Sequence, residues 1–194
     1  MPSRRDWLKG AAAMLLVRDA LAQGRLEQGV YRRQGEVRIS GDGVSTGADG
    51  EVVFVVDKDA VLVRRNSELS VLKTGLRIVT GAVLSVFGDG RRQLRTPSAN
   101  IGIRGTAVYL EVEPGRTYVC TCYGEAVLEP RGDPAARETV RTVHHEQPRY
   151  IMTQGAPQMI MPAPVVNHTD AELVFLESLV GREPPFVGKG LRPY

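Results

Sequence analysis

Short stretches of apolar residues recur along the first two thirds of the chain, and turn signals separate them. Residues 108–112 alternate cleanly, so Val108, Leu110 and Val112 share one side of a predicted strand. A Gly-Asp-Gly turn signal at 88–90 is of the kind that separates such runs. Many short strands at close spacing predict an all-β fold, either a sandwich or a short solenoid of stacked strands. The other predicted strands are 36–40, 51–56, 60–64, 69–72, 76–80, 82–87, 117–122 and 125–129.

The last third of the chain has a different pattern. Residues 133–164 contain five prolines and little sustained periodicity, which predicts an extended arm that lies over the β domain. After the arm, Thr169 and Glu172 have the spacing of a capping box, in which a hydroxyl and a carboxylate satisfy free amides at a helix start. Leucines at helical spacing follow, and Gly181 ends the pattern. We therefore expect a short C-terminal helix that packs against the β domain.

The N-terminus shows the features of an export signal in the usual order. Residues 3–9 resemble the twin-arginine motif, with Arg4 and Arg5 as the paired arginines and Trp7 where that motif has Phe. A modest apolar run at 10–17 and a small-x-small cleavage site at 20–22 follow. The alternative is a short amphipathic helix that stays attached. The order of the three features favours a signal peptide over residues 1–22.

This interpretation divides the chain into a signal at 1–22, a β domain at 23–132, and an arm with a helix at 133–194. No later segment reaches the ~20 apolar residues that a spanning helix needs. We therefore expect a mature protein that is soluble in the periplasm or another extracytoplasmic compartment. Twin-arginine transport carries folded proteins, often with a cofactor already loaded, so this route is compatible with a bound metal.

The charge distribution argues against nucleic acid as a partner. The formal net charge is +3, and residues 1–22 hold four Arg or Lys against two Asp. The rest of the chain is therefore close to neutral, whereas a nucleic-acid-binding domain normally presents a basic face. Aromatic residues make up only 6% of the chain, so the core must be built mainly from aliphatic side chains.

Two short motifs in the middle of the chain carry a family resemblance. Residues 96–99 read Thr-Pro-Ser-Ala, and Arg104, Gly105 and Thr106 precede the strand predicted at 108–112. Together they resemble the hallmark of the FecR-like domain, an extracytoplasmic module known from iron-citrate signalling. The resemblance extends more loosely over roughly residues 35–129.

The resemblance implies a coil-like arrangement of short stacked strands and a protein partner in the cell envelope. In that family, the domain often belongs to a membrane regulator that relays a receptor's state to a sigma factor. This chain shows neither a spanning helix nor a sigma-binding region. The resemblance therefore favours a soluble, non-enzymatic module with a partner-binding, regulatory or envelope scaffold role.

The cysteines and histidines concentrate in one part of the chain. Cys120 and Cys122 share one face of a predicted strand, His144 and His145 follow, and His168 precedes the predicted helix. Thiolates and imidazoles suit zinc or copper. The alternative function is therefore metal binding, and its predicted ligands are Cys120, Cys122, His144 and His145. The spacing departs from common zinc motifs, which place two or more residues between paired cysteines.

Two other interpretations of the cysteines stay open. A disulfide suits an oxidising compartment, although residues i and i+2 of a strand lie near the upper limit of the Cα separation that a disulfide tolerates. Buried free cysteines also pack as small apolar groups in many proteins.

No group of residues stands out as a catalytic site. The G-x-S-x-G pattern at 43–47 lies among β-turns rather than at the strand-to-helix elbow that serine hydrolases need. No pair of carboxylates is singled out as acid and base. The protein is therefore predicted not to be an enzyme.

Overall fold

The computed structural model describes residues 26–189. The export signal predicted at 1–22, with Arg4 and Arg5, lies outside the described residues. Thirteen strands join in one sheet, and one α-helix follows them, so the all-β prediction is confirmed. The elements are β1 (Val30–Gln34), β2 (Val37–Ser40), β3 (Gly43–Thr46), β4 (Glu51–Val56), β5 (Asp59–Val63), β6 (Glu68–Leu72), β7 (Gly75–Val86), β8 (Arg91–Arg95), β9 (Ala99–Glu113), β10 (Arg116–Pro130), β11 (Glu138–Thr142), β12 (Arg149–Met152), β13 (Ile160–Pro162) and α1 (Asp170–Leu179).

The sheet is mostly antiparallel. Its main path runs β1-β4-β5-β7-β8-β9-β10-β12-β13, while β11 pairs with β10 and a side branch of β2, β3 and β6 joins β7. Only β7 and β8 pair in parallel among residues 26–189. Successive strands are therefore mostly joined as antiparallel neighbours, and the parallel stacking of a regular solenoid is not the main pairing.

Two of the longest strands cross positions that the sequence pattern marks as strand ends. β7 continues through Gly81, and β10 continues through Gly124. Both glycines have positive φ, 86° and 93° respectively, a conformation that other residues rarely adopt. Glycine inside a strand often marks a bulge rather than an end. The pairing of β7 with β6 shifts at Val79, and the pairing of β10 with β9 shifts on both sides of Tyr123, so irregular register lies close to both glycines. Each strand also meets different partners along its length.

Apolar side chains are buried on both faces of the central strands. In β9, Val108 and Leu110 belong to one cluster, while Tyr109 between them belongs to a second cluster. The second cluster also contains Leu173 and Leu176 of α1, both fully buried. The helix therefore covers the face of the sheet that carries Tyr109.

The FecR-like motif residues have structural roles in this fold. Thr96 and Thr117 are buried, and their hydroxyls are 2.9 Å apart, which ties the start of β9 to β10. Gly105 has a φ of 55° at the bend of β9. The buried Thr106 hydroxyl then donates to the carbonyls of Arg104 and Glu125, at 2.8 and 3.1 Å, across the same bend. The motif therefore fixes the bend where β9 and β10 pair.

The arm predicted at 133–164 contains regular structure. β11 and β12 both pair with β10, and β13 pairs with β12, so the arm extends the sheet. Short strands between prolines leave little periodicity, which explains why the sequence pattern does not reveal them. The C-terminal helix is confirmed, including its capping box between Thr169 and Glu172. Among residues 26–189, no helix has the length and apolar character that crossing a membrane requires.

Gly124 allows a test of how tightly the bend is packed. A Cβ at Gly124 would lie 2.8 Å from the Thr106 hydroxyl and 2.9 Å from the Gly105 carbonyl, whereas one at Gly115 meets nothing within 4 Å. Both glycines have positive φ, 93° and 86°, so backbone strain is matched. We expect Gly124→Ala to lower the free energy of unfolding by about 1–3 kcal/mol more than Gly115→Ala, because of overpacking. Urea denaturation measures both values, and equal losses would contradict the packing described.

Candidate metal centre

The register of β10 decides which segments meet the two cysteines. β12 pairs with residues 116–119 of β10, and β11 pairs with residues 124–128 on the same edge. The segment 120–123 lies between these two pairings. The turn that joins β11 to β12, at 143–148, must therefore pass beside the cysteines. This turn carries His144 and His145.

Cys120 and Cys122 enter the same buried region by strand alternation, and a bulge in β10 brings Tyr123 into that region as well. Cys120 lies opposite Tyr109 in β9, but the register shifts between Thr121 and Tyr123, at Cys122. Bulges of this kind re-aim side chains and occur often beside functional sites. Both cysteines are fully buried, and neither forms a disulfide.

His145 is held against this bulge by its own backbone. Its N–H donates to the Cys122 carbonyl at 3.0 Å, and its φ is 61°. The carboxylate of Glu146 accepts the N–H groups of Val143 and His144, at 2.8 and 2.9 Å, and so closes the tight turn. A non-glycine residue with positive φ is strained by roughly 1–3 kcal/mol, and such strain concentrates at functional sites.

His168 reaches the cysteines from the connection between β13 and α1. The residue before it, Asn167, also has positive φ, at 57°. The His168 ring stacks on Tyr109, with ring centroids 4.6 Å apart. Its Nε2 lies 3.0 Å from Nδ1 of His145, and that Nδ1 lies 3.3 Å from Sγ of Cys120.

Four donor groups therefore meet in the interior. One ligand atom from each of Cys120, Cys122, His145 and His168 lies within 4.8 Å of the others, and all four residues are buried. Three of these residues are among the ligands predicted from the sequence. The fourth predicted residue, His144, instead places its Nε2 2.8 Å from Asp170.

His168 is the residue that the sequence prediction left out of the ligand set. His144 and His145 both place Nε2 against the Asp170 carboxylate, and His145 also places its Nδ1 3.3 Å from Sγ of Cys120. The position of His168 just before the capping box of α1 was visible in the sequence. What the sequence does not show is that α1 packs over Tyr109 and so brings His168 to the sulfurs.

The hydrogen bonds around the two buried imidazoles define which nitrogens face the cluster. Nδ1 of His168 lies 2.6 Å from the Val166 carbonyl, which can only accept a proton. Nε2 of His145 lies 3.1 Å from Asp170, which also favours a proton on that nitrogen. The lone pairs of His145 Nδ1 and His168 Nε2 then point at each other across 3.0 Å. Two such lone pairs repel unless a proton or a cation lies between them.

The sulfur of Cys120 adds negative charge beside these two nitrogens. Burial opposes ionisation of Cys120, but the interactions with Cys122, His145 and His168 outweigh it and hold the pKa of this thiol well below its usual value. Burial raises the pKa of Cys122 well above its usual value, and the neighbouring Cys120 thiolate raises it further. The pKa of His145 is raised overall, because the interactions with Cys120 and Asp170 outweigh the lowering effect of burial. The cluster thus favours one thiolate and a positive charge beside it.

The donor separations suit a small tetrahedral ion. Zinc bond lengths imply about 3.3 Å between two ligating nitrogens and about 3.6 Å between a nitrogen and a sulfur in a tetrahedron. The observed separations are 3.0 Å between the two nitrogens and 3.3 Å between Cys120 Sγ and His145 Nδ1. Small outward rotations of the side chains reach the tetrahedral values.

Asp170 forms the next layer of contacts around this cluster. Its carboxylate lies 3.1 Å from His145 Nε2 and 2.8 Å from His144 Nε2, and it is buried at the first turn of α1. A carboxylate behind a ligating histidine orients the ring and raises its basicity. His144 therefore contributes indirectly, through Asp170.

The series Cys120, His145 and Asp170 also has the order of a nucleophile, a base and an orienting carboxylate. The separations of 3.3 and 3.1 Å are compatible with that chemistry. However, Cys120 is fully buried, and the same imidazole nitrogen faces His168. In this arrangement the sulfur is therefore closed to a substrate.

The other end of α1 is fixed by a buried carboxylate. Glu177 accepts a hydrogen bond from the Tyr123 hydroxyl and also forms an ion pair with Arg182 at 2.6 Å. Arg182 in turn donates to the Lys58 carbonyl at 2.8 Å. Since Tyr123 follows the bulge at Cys122, this contact fixes the helix to the same part of β10 that carries the cysteines.

Comparisons with known proteins relate the fold, but not the cluster, to other proteins. No family model matches the sequence, and no curated protein matches it. Two crystal structures of a candidate anti-sigma factor from Parabacteroides distasonis ATCC 8503 share the fold, with TM-scores of 0.51 and 0.50. Each is 9% identical, and the match covers 62% of this chain and 58% of that chain. The chain therefore spans less than two thirds of the length of the structures it matches, and at this identity the likeness concerns the fold alone.

The contacts of Glu177 predict a measurable contribution to stability. Glu177→Ala leaves the buried Tyr123 hydroxyl and the Arg182 guanidinium without their shared acceptor. We expect the free energy of unfolding to fall by about 1–3 kcal/mol, the range for an unsatisfied buried polar group. Glu183→Ala is the matched control, because Glu183 is exposed four residues after the end of α1, and its effect should stay within about 0.5 kcal/mol. Chemical denaturation compares the two, and a similar effect of both changes would show that the contact does not hold the helix.

Proposed function

We propose that this protein is a non-enzymatic metal-binding module in which Cys120, Cys122, His145 and His168 bind one zinc or copper(I) ion. The observation that carries the proposal is the meeting of two imidazole nitrogens and two sulfurs within 4.8 Å in the buried interior. A proton can be shared by only two of these atoms. A single cation satisfies all four.

The donor set favours a closed site. Two sulfurs and two nitrogens in a tetrahedron leave no position for a substrate or water, which is typical of structural zinc sites. Thiolate and imidazole ligands also suit copper(I), so the chemistry of the donors leaves these two metals as candidates. In either case the ion joins β10, the β11–β12 turn and the start of α1, and its role is to hold or report the arrangement of these three segments.

A regulatory, partner-binding role is the second candidate function, and it is compatible with the first. It is supported by the shared fold with the candidate anti-sigma factor and by the FecR-like motif at Arg104, Gly105 and Thr106. The twin-arginine-like N-terminus supports a site of action outside the cytoplasm, with a protein partner in the cell envelope. In that setting the metal centre would stabilise the surface that a partner recognises.

Metal content of matched histidine variants tests the proposal. We expect the purified protein to hold about one zinc or copper ion per chain, and the Cys120→Ser/Cys122→Ser variant to hold none. His168→Ala removes a proposed ligand, so its metal affinity should fall by at least about 100-fold, more than the loss of a residue behind a ligand causes. His144→Ala should stay within about tenfold, because the Nε2 of His144 is bound to Asp170 and His144 is not among the four donor residues. Elemental analysis and competition with a chromogenic chelator measure these values.

The two histidine variants separate this ligand set from the one predicted by sequence. Equal losses in His144→Ala and His168→Ala would exclude the four-residue site as described. A wild-type protein that binds neither zinc nor copper(I) in titration would end the metal proposal and leave the cluster as a buried thiolate and imidazolium pair.

A further inference from the structure

Three arginines line an open groove formed by β7, β8 and the segment after β10. Arg77 and Arg95 come from the two strands, and Arg131 follows β10. The groove has a volume of about 970 Å³, and no Asp or Glu lines it. It therefore concentrates positive charge in a protein whose total charge is small.

These arginines differ from most others in the described part of the chain. Arg92, for example, forms an ion pair with Asp59 at 2.8 Å, and Arg149 forms one with Glu138 at 2.7 Å. In contrast, Arg95 donates to the neutral amide of Gln93 at 2.7 Å, and Arg131 lies 3.4 Å from the Thr96 carbonyl. Within residues 26–189, no salt bridge is formed by Arg77, Arg95 or Arg131.

The sheet register places two of these charges side by side. In the parallel pairing of β7 with β8, Arg77 is the direct neighbour of Arg95. Like charges at paired positions of a sheet repel each other and destabilise the pairing. An anionic group bound between the two guanidinium groups removes this repulsion and gains charge-assisted hydrogen bonds.

The other groups in the groove suit a peptide. The amides of Gln93, Asn100 and Gln154 line it, and they can both donate to and accept from a peptide backbone. Val79 lies in the same groove and is 41% exposed, which offers an apolar contact. The volume is far larger than a single phosphate or carboxylate needs. The groove thus combines charge, amide and apolar contacts over the length of several residues.

The chain itself does not supply the opposite charge from its outer stretches. Residues 1–25 contain five Arg or Lys against two Asp, and residues 190–194 contain one Arg and no acid. A segment from either stretch would bring more positive charge to the groove. Neither of these two stretches has the charge that the groove would complement, which favours a partner as the occupant.

We propose that this groove binds an acidic, extended segment of a protein partner. The carboxylates of the segment pair with Arg77 and Arg95, and its backbone contacts the amide side chains beside them. This site is independent of the metal centre, which lies on β10 and α1. It defines the chemistry of the partner that the second candidate function requires.

Fluorescence anisotropy with the whole purified chain, whatever its metal content, tests this site. The probe is a labelled eight-residue peptide with four Glu alternating with Val and Gly, and its counterpart with Lys in place of each Glu is the control peptide. We expect the acidic peptide to bind, the Lys peptide not to bind, and Arg77→Gln/Arg95→Gln to weaken binding at least tenfold. Arg141→Gln is the control variant, since Arg141 is exposed on β11 and lies outside the groove, and it should change affinity less than twofold.

Three results would overturn the proposal. The first is an acidic peptide that binds the wild type and the double variant equally. The second is displacement of the labelled peptide by inorganic pyrophosphate at the same concentration as by unlabelled peptide. This result would define a small-anion site. The third is that phosphatidylglycerol vesicles bind through the same arginines while the peptide does not, which would define a membrane surface. The substituted arginines are exposed, so both variants should keep the fold. Thermal unfolding checks this: Arg141→Gln should match the wild type, and Arg77→Gln/Arg95→Gln should be at least as stable, because it lacks the repulsion between the two paired arginines.

Discussion

The pairing of β10 with three other strands is the constraint on which the rest of the molecule depends. β9 covers one edge of β10 along almost its whole length, and β11 and β12 share the other edge. Because β11 and β12 leave a gap between them, their connecting turn must pass beside residues 120–123. The position of His145 therefore follows from backbone hydrogen bonds that are made elsewhere. The Cys and His cluster therefore depends on the register of the sheet as well as on its four residues.

The sequence predicts much of the fold because most of its strands and its C-terminal helix show patterns that depend on residues close together in the chain. The alternation of Val108, Leu110 and Val112 and the capping box at Thr169 both match the structure, since each depends on neighbours within a few residues. The cysteine pair and His145 could be selected by chemistry. His168 could not be placed, because its position depends on the packing of α1 over Tyr109, some 60 residues earlier in the chain. The bulge at Cys122 was hidden for a related reason, since Gly124 has the pattern of a strand end until its partner strands are known.

The residues that resemble a known family and the residues that carry the candidate chemistry are different residues. Thr96, Gly105 and Thr106 shape the bend of β9, and none of them belongs to the group of four metal-binding candidates. At 9% identity, the likeness to the candidate anti-sigma factor concerns the fold and carries over to no particular residue. A fold can be kept while sites on it change. The Cys and His cluster is thus a property of this chain that the fold alone does not predict.

The spacing of the four donor residues has a consequence for the unfolded chain. Cys120 and His145 are 25 residues apart, and His145 and His168 are 23 apart, so one ion would cross-link two successive loops. In the chain-entropy treatment of disulfides, closing a loop of this size contributes about 3.5 kcal/mol by restricting the denatured ensemble. An ion that binds only the folded state also stabilises it with the logarithm of its free concentration. The lifetime of the folded protein would then depend on the supply of metal in its surroundings, as the lifetime of a disulfide-linked protein depends on the surrounding redox potential.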